Sequence, residues 1–322
     1  MIKKDIRIVF MGTPEFAVTI LDGLLEQNYS IAGVITAPDR PAGRGQKLHE
    51  SAVKVFAKSR GVTVLQPSNL KDNSFLSDLK ALNANLQIVV AFRMLPKVVW
   101  QMPALGTFNL HASLLPDYRG AAPINWAIIN DDKETGVTSF FLQHKIDTGN
   151  IIMQKSIAIE ENETAGLLHD RLMILGALVV VNTVELIESE NIKTLTQEEL
   201  ISKGIDPTPA PKLTKHTCVL DVNQSVTNLH NKLRGLSPFP GAFIWIERNG
   251  KKSVFKWYQS KIESTIESDS TPKFIIEDNQ LKFQNKSGVL NLLEVQLEGK
   301  KRMTASVFIQ GFKLDEWSII KY

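Results

Sequence analysis

Cysteine is almost missing from this chain of 322 residues, where Cys218 stands alone. An intrachain disulfide is excluded, and so are the stapled folds of oxidising compartments. The six histidines, at 49, 111, 144, 169, 216 and 230, contain no His-Glu-x-x-His spacing, so no metal site is expected. Long apolar runs are also lacking. A stretch such as Leu175–Val181 falls far short of the roughly 18–20 residues a membrane span needs. The opening Met-Ile-Lys-Lys-Asp leads straight into a strand-like segment with no secretory apolar region, and the expectation is a cytoplasmic protein without a membrane partner. A Gly-x-Gly-x-x-Gly fingerprint is absent after that first strand. Pro14 stands where the second glycine should let a pyrophosphate approach, which argues against a nicotinamide enzyme. Gly12 then reads as a tight strand-to-helix turn.

Charge of one sign is scarce overall, with a net of only +3. Its distribution is more telling. Residues 207–322 carry 17 Lys and Arg against 11 Asp and Glu, whereas residues 1–206 carry 20 against 23. A basic C-terminal part on a mildly acidic N-terminal part is compatible with a polyanionic partner, although a solvated surface explains the same numbers.

What is present alternates in type along the first half. Ile6–Met11, Ser30–Thr36, Val62–Leu65, Gln87–Phe92 and Thr107–Leu110 are short, apolar and strand-like. Amphipathic stretches separate them at Phe16–Gln27, Ala52–Ser59, Ser74–Leu82 and Lys97–Gln101. Thr13-Pro14-Glu15 reads as a helix start with Thr13 as the capping hydroxyl. Apolar strands alternating with helices predict an α/β fold, a Rossmann-like doubly wound parallel sheet. Val137–Leu142 and Asn150–Ile159 add strands, and Thr164–Ser189 a long helix. Gly204–Pro211, with three prolines in five positions, predicts a stiff connector. Beyond it, short β-like segments flank Asn249-Gly250, the preferred pair of a tight hairpin. The expected organisation is a catalytic domain at 1–203, a linker at 204–211 and a small OB-like β-barrel at 212–322.

Asn109-Leu-His111 closes a strand, so alternation sends the amide and the imidazole to one face. In isolation this pair is better explained by a turn cap and a satisfied core histidine. Its surroundings alter that balance: Ser113-Leu114-Leu115-Pro116, Arg119-Gly120-Ala-Ala-Pro123, and Ile146-Asp147-Thr-Gly149 downstream. Together they offer a donor to a developing oxyanion, a proton-moving imidazole and a carboxylate.

The run from Phe108 to Gly149 closely resembles the catalytic core of the formyltransferases that use 10-formyltetrahydrofolate. The resemblance implies Asn109, His111 and Asp147 as the catalytic set. Asp147 is left two roles, orienting His111 or taking the amine proton. It also implies Ser113, Leu114, Leu115 and Pro116 as the folate-contacting segment. The stretch before it resembles another folate element but reads Ala91-Phe-Arg93-Met-Leu-Pro96, with Arg93 in place of a usual glycine and a shorter loop, and no contact is assigned there.

Two further features are similar to the branch of that family acting on methionyl-tRNA. One is the basic, Gly/Pro-rich segment 36–49 with Arg40, Arg44 and Lys47, expected to lack regular structure; the other is the C-terminal part with Lys212 and Lys215 at its entry. The resemblance implies 10-formyltetrahydrofolate as donor, initiator methionyl-tRNA as acceptor, and those five residues as tRNA contacts; a monomer is expected. A sugar-nucleotide N-formyltransferase is the enzymatic alternative, and a catalytically dead tRNA-binding module the other.

Overall fold

The computed structural model describes residues 5–42, 47–266, 269–311, 313 and 316–320. Two compact units emerge. One comprises Met1–Gly120, Gly136–Ile157 and His169–Pro209; the other comprises Ala121–Thr135, Ala158–Leu168 and Ala210–Tyr322. The expected division at 1–203, 204–211 and 212–322 runs as successive modules along the chain. In space, two inserts from the first half group with the C-terminal residues.

The first half of the chain runs β1 (Arg7–Gly12), α1 (Glu15–Glu26), β2 (Ser30–Ile35), β3 (Arg40–Ala42), β4 (Lys47–His49), α2 (Ala52–Ser59), β5 (Val64–Leu65), α3 (Asn73–Ala81), β6 (Leu86–Val90), α4 (Lys97–Trp100), β7 (Thr107–His111) and β8 (Arg119–Gly120). After α5 (Pro123–Ile129) come β9 (Glu134–Phe141), β10 (Ile151–Ala158), α6 (Ala165–Glu188), α7 (Gln197–Ser202) and β11 (Pro209–Ala210). The main sheet has the order β10-β9-β7-β6-β1-β2-β5. From β5 to β7 it is parallel, as the apolar strands predict, because helices cover both faces and leave no room for polar alternation. β9 turns back antiparallel, with His111 opposite Thr138.

The order reverses between β1 and β6, and such a switch opens a crevice at the carboxyl ends of the strands. β6 and β7 end side by side there, with Val90 opposite Leu110. Thr13 is not the cap of α1: Pro14 takes that position and no side chain caps the helix. Proline's fixed φ suits helix entry, and its missing N–H removes one donor that a cap would have to satisfy.

The second unit carries α8 (Val226–Gly235), β12 (Ala242–Arg248), β13 (Lys251–Ser264), β14 (Lys273–Glu277), β15 (Gln280–Asn285), β16 (Gly288–Leu297), β17 (Met303–Thr304), α9 (Ala305–Gly311) and β18 (Ser318–Ile319). Its antiparallel sheet runs β14-β15-β16-β13-β12-β18, with β17 on β16. Register shifts between β13 and β16 curl the sheet into a half-barrel. The β12–β13 hairpin turns at Asn249-Gly250, both with positive φ, as a tight hairpin requires. Phe255, Trp257, Phe283 and Phe308 fill the concave side beneath Leu229 and Leu233 of α8.

Arg234 explains why the two inserts belong to this unit. Its buried guanidinium donates to Glu163 O (3.3 Å), Asn231 Oδ1 (3.0 Å) and Asp131 Oδ1 (3.4 Å). Three distant stretches of chain thus meet on one charge that burial would otherwise leave uncompensated.

His230 lies beside it, with Nδ1 2.9 Å from Ser260 Oγ. Burial, joined by the like charge of Arg234, holds its pKa below the ordinary histidine value. The unfolded chain therefore takes the proton first as pH falls. The stabilising contribution is present above about pH 6.5 and is lost as pH drops from there through the depressed folded value. His230→Gln should flatten the fall of melting temperature between pH 7.5 and 5. Parallel slopes for variant and parent would remove His230 as the source.

Candidate active site

Asn109 and His111 leave the same face of β7 at the carboxyl edge of the sheet, Asn109 half-buried and His111 7% exposed. His111 Nε2 lies 2.8 Å from Tyr118 O. A carbonyl only accepts, so Nε2 carries the proton, and Nδ1 is the nitrogen that can exchange one with substrate. Asp147 Oδ2 accepts from Gly120 N at 3.1 Å. Asp147 and His111 are thus joined through the Tyr118–Gly120 backbone and not by a direct hydrogen bond. Tyr118 (φ 58°) and Asp147 (φ 53°) both hold the left-handed conformation. Non-glycine residues held there cost about 1–3 kcal/mol each and persist only where surrounding contacts fix them.

Ser113, Leu115 and Pro116 are buried, and Leu114 is half-buried. Ser113 Oγ donates to Asp117 O (2.6 Å), and Ser113 O accepts from Thr138 Oγ1 (2.6 Å). Gln154 Nε2 donates to Leu115 O at 2.8 Å, while the Leu115 side chain packs on Phe140 and Ile151. Of the four, Leu114 keeps the most open side chain, and the other three shape the loop from behind.

Open concave surface lies instead along 93–98, in a cleft of about 620 Å³ whose other wall is 68–71. Arg93 joins the two walls by donating to Ser68 O (2.8 Å) and to Pro67 O. Burial, then the nearby Arg40, press its pKa downward. The departure from glycine at this position is therefore a bridge between two loops that are 25 residues apart in sequence. Met94, Leu95 and Val98 give the cleft apolar surface, and Lys71 and Lys97 border it.

Segment 36–49 corrects an expectation. β3 and β4 pair antiparallel, Arg40 opposite His49 and Pro41 opposite Leu48, so regular structure reaches well into the excursion. A proline fits because a two-stranded ladder is all edge. Arg40 is exposed and Lys47 begins β4, whereas Arg44 lies outside the described residues. The base of this hairpin is clamped. Lys54, buried on α2, pairs with Asp39 and with Glu50 (2.8 Å), and Gln66 Nε2 donates to Asp39 Oδ1 (2.8 Å). Hydrogen bonds from Lys54 and Gln66 hold the Asp39 carboxyl below its usual pKa. Lys54→Met should free the hairpin, raising the KM for an acceptor that docks on it several-fold while leaving the folate KM unchanged. An unaltered acceptor KM would make the clamp purely structural.

Lys212 and Lys215 are exposed in the second unit, Lys215 Nζ standing 5.4 Å from the centroid of the Trp245 ring. His144 is exposed and packs edge-on against Trp100. Gln197, which no motif or spacing singles out, is fully buried and contacts both Arg119 and the Asp147 turn. Preceding Glu198 and Glu199 at a helix start, it reads as one more polar surface position. Among the described residues no group of three His, Cys, Asp or Glu could hold a metal, and no helix is long and apolar enough to cross a membrane.

Comparison with known proteins follows the same two parts. Residues 6–184 match the family described as formyl transferase, and residues 212–313 match the formyl transferase C-terminal domain. The methionyl-tRNA formyltransferase of Flavobacterium johnsoniae is 53% identical over 313 residues, covering 97% of this chain and 98% of the relative. That of Parabacteroides distasonis is 51% identical, with coverage of 97% and 98%. Among solved structures, the sugar 3N-formyl transferase WlaRD, crystallised with dTDP and 5-N-formyl-THF, superposes with a TM-score of 0.65 at 21% identity, covering 92% of this chain and 99% of that one. HypX from Aquifex aeolicus in complex with tetrahydrofolic acid gives 0.63 at 15% identity, with coverage of 95% and 47%. At such identities these two likenesses concern the fold.

Proposed function

The chain belongs to the formyl transferase family, and on that premise we propose that it moves a formyl group from 10-formyltetrahydrofolate to the α-amine of methionine on initiator methionyl-tRNA. One observation carries the choice of acceptor. Identity of about one half with enzymes of that name runs through 97% of the chain, taking in both the basic hairpin and the C-terminal sheet. A likeness confined to the catalytic core would leave a sugar nucleotide equally open.

Asn109, His111 and Asp147 form the reacting centre in this reading. The folate supplies the formyl carbon. A bond forms between the methionine nitrogen and that carbon, its bond to the folate nitrogen breaks, and one proton passes from the amine toward the leaving nitrogen. The Asn109 amide donates to the charge growing on the formyl oxygen, where a lost donor costs roughly 3–4 kcal/mol. His111, its Nε2 proton fixed on Tyr118 O, takes or gives a proton at Nδ1. Asp147, hydrogen-bonded to Gly120 N and not to His111, is read as accepting a proton from the incoming amine or a bridging water.

The cleft between 68–71 and 93–98 is read as part of the folate site. Met94, Leu95 and Val98 suit a flat ring system, and Lys71 and Lys97 suit its carboxylate tail. Ser113, Leu115 and Pro116 set the loop that presents Leu114 to the same ligand. Arg40, Arg44, Lys47, Lys212 and Lys215 are read as the phosphate-pairing residues, and binding of tRNA should weaken as salt rises. The enzyme is read as cytoplasmic and as a monomer, for which sedimentation should give the mass of one chain.

Labelled 10-formyltetrahydrofolate offered to methionyl initiator tRNA, methionyl elongator tRNA and an amino-sugar nucleotide together tests the assignment. Label is expected on the initiator tRNA. Label mainly on the sugar overturns the acceptor, and no transfer to any of them favours a tRNA-binding protein without turnover.

A further inference from the structure

We propose that Gln197 is a positioning residue that sets the catalytic carboxylate and the His111 loop in register with each other. The inference rests on the reading of Asp147 and His111 given above.

Gln197 opens α7, whose start is held by a capping box between Thr196 and Glu199. The chain just before it is pinned beside the Asp147 turn, since Leu195 and Ile151 exchange backbone hydrogen bonds at 2.8 and 3.0 Å. Leu195 and Leu200 pack on Leu115, Phe140 and Ile151. The Gln197 side chain enters the interior with no solvent exposure. There its amide is used completely. Nε2 donates to Asp147 O and to Gly149 O, both at 2.9 Å. Oε1 accepts from Arg119 Nε (2.9 Å) and Nη2 (2.5 Å).

Both donors and both acceptor sites of one amide are thus satisfied. The two carbonyls demand the NH2 and the guanidinium demands the oxygen, which fixes the amide's orientation. One partner stretch, 147–149, carries the Asp147 carboxylate. The other, Arg119, lies between Tyr118, whose carbonyl holds His111, and Gly120, whose N–H holds Asp147. Gln197 therefore ties together the two loops through which His111 and Asp147 are related. No other amino acid of similar size offers two donors on one side and an acceptor on the other. Glutamate would set a carboxylate against two carbonyls while keeping its bond to Arg119; methionine would fill the volume and satisfy none of the four groups.

The test uses the full-length enzyme with Gln197→Met, Gln197→Glu and Asp147→Asn, each assayed for kcat and for both KM values and melted in parallel. For the two Gln197 variants kcat should fall 10- to 100-fold, with KM for folate and for tRNA within about threefold of the parent. A residue that merely supported the fold would lower melting temperature and leave kcat per folded molecule unchanged. Folded Gln197 variants with kcat within twofold of the parent, or with the loss confined to KM, overturn the inference. Should neither variant fold, Thr196→Ala, a change at a half-buried position that removes the side-chain cap of α7, is expected to lower kcat two- to fivefold at constant KM, and an unchanged kcat overturns it. Asp147→Asn separates the two levels of argument. If it keeps parental turnover, the reading of the site fails; if it is inactive while Gln197→Met is active, only the positioning role fails.

Discussion

Asn109→Ala, His111→Ala and Asp147→Asn are each expected to lower kcat by two orders of magnitude or more, with melting temperature and tRNA affinity little changed. Each group acts on charge or protons that change only during reaction, so its loss falls on the transition state and spares ground-state docking. The three should not be equal. Asn109 contributes one hydrogen bond to developing charge, worth roughly 3–4 kcal/mol, or two to three powers of ten in rate. His111 also moves a proton and holds Tyr118 O, 2.8 Å away, so its loss removes chemistry and loosens the loop. Asp147→Asn keeps an acceptor oxygen for Gly120 N, which leaves the backbone bridge standing and isolates the lost charge and basicity. Single-turnover rates with both substrates saturating provide the measurement. Near-parental turnover in any one variant removes the role assigned to that residue.

Gly149→Ala should damage both activity and stability. A Cβ at Gly149 would stand 1.6 Å from Phe141 O and 2.8 Å from Phe141 C. These are backbone atoms of β9, and no rotamer change relieves the overlap. The turn must move off the strand, breaking the bond from Phe141 N to Asn150 O (3.0 Å) or the one from Gln197 to Gly149 O. Overpacking of this kind costs about 3 kcal/mol or more, roughly 5–10 °C in melting temperature for a domain of this size. Displacing the turn carries Asp147 with it, so kcat should fall at least 100-fold even at temperatures where the variant is folded. Calorimetry paired with rates at 15 °C checks both parts. A variant with parental melting temperature and parental rate would mean that the 147–149 turn tolerates displacement, and Asp147 would need no fixed position.

The legible parts of this protein were those that depend on few neighbouring residues. Alternation along Thr107–His111 placed Asn109 and His111 on one face, since side chains in a strand repeat every two residues whatever lies beyond. Apolar runs broken by amphipathic stretches gave the parallel core of the first sheet, and Asn249-Gly250 gave the β12–β13 hairpin of the second, because backbone sterics alone favour that pair where φ must be positive. The proline pattern at 204–211 was equally local. It speaks of chain stiffness and is silent on which residues gather around Arg234.

Tertiary structure alone decided the rest. Asp147 meets His111 only through the backbone of Tyr118–Gly120, and Arg93 earns its place through carbonyls 25 and 26 residues upstream. Gln197 reaches partners 48, 50 and 78 residues away. The pairing of β3 with β4 likewise escaped composition, because two prolines and two glycines argue against regular structure locally while a ladder needs only matching backbone on the facing strand. Local propensity acts over a few residues and leaves a periodic trace. A hydrogen bond between residues far apart in the chain leaves none, because what fixes its geometry is the packing of everything between them.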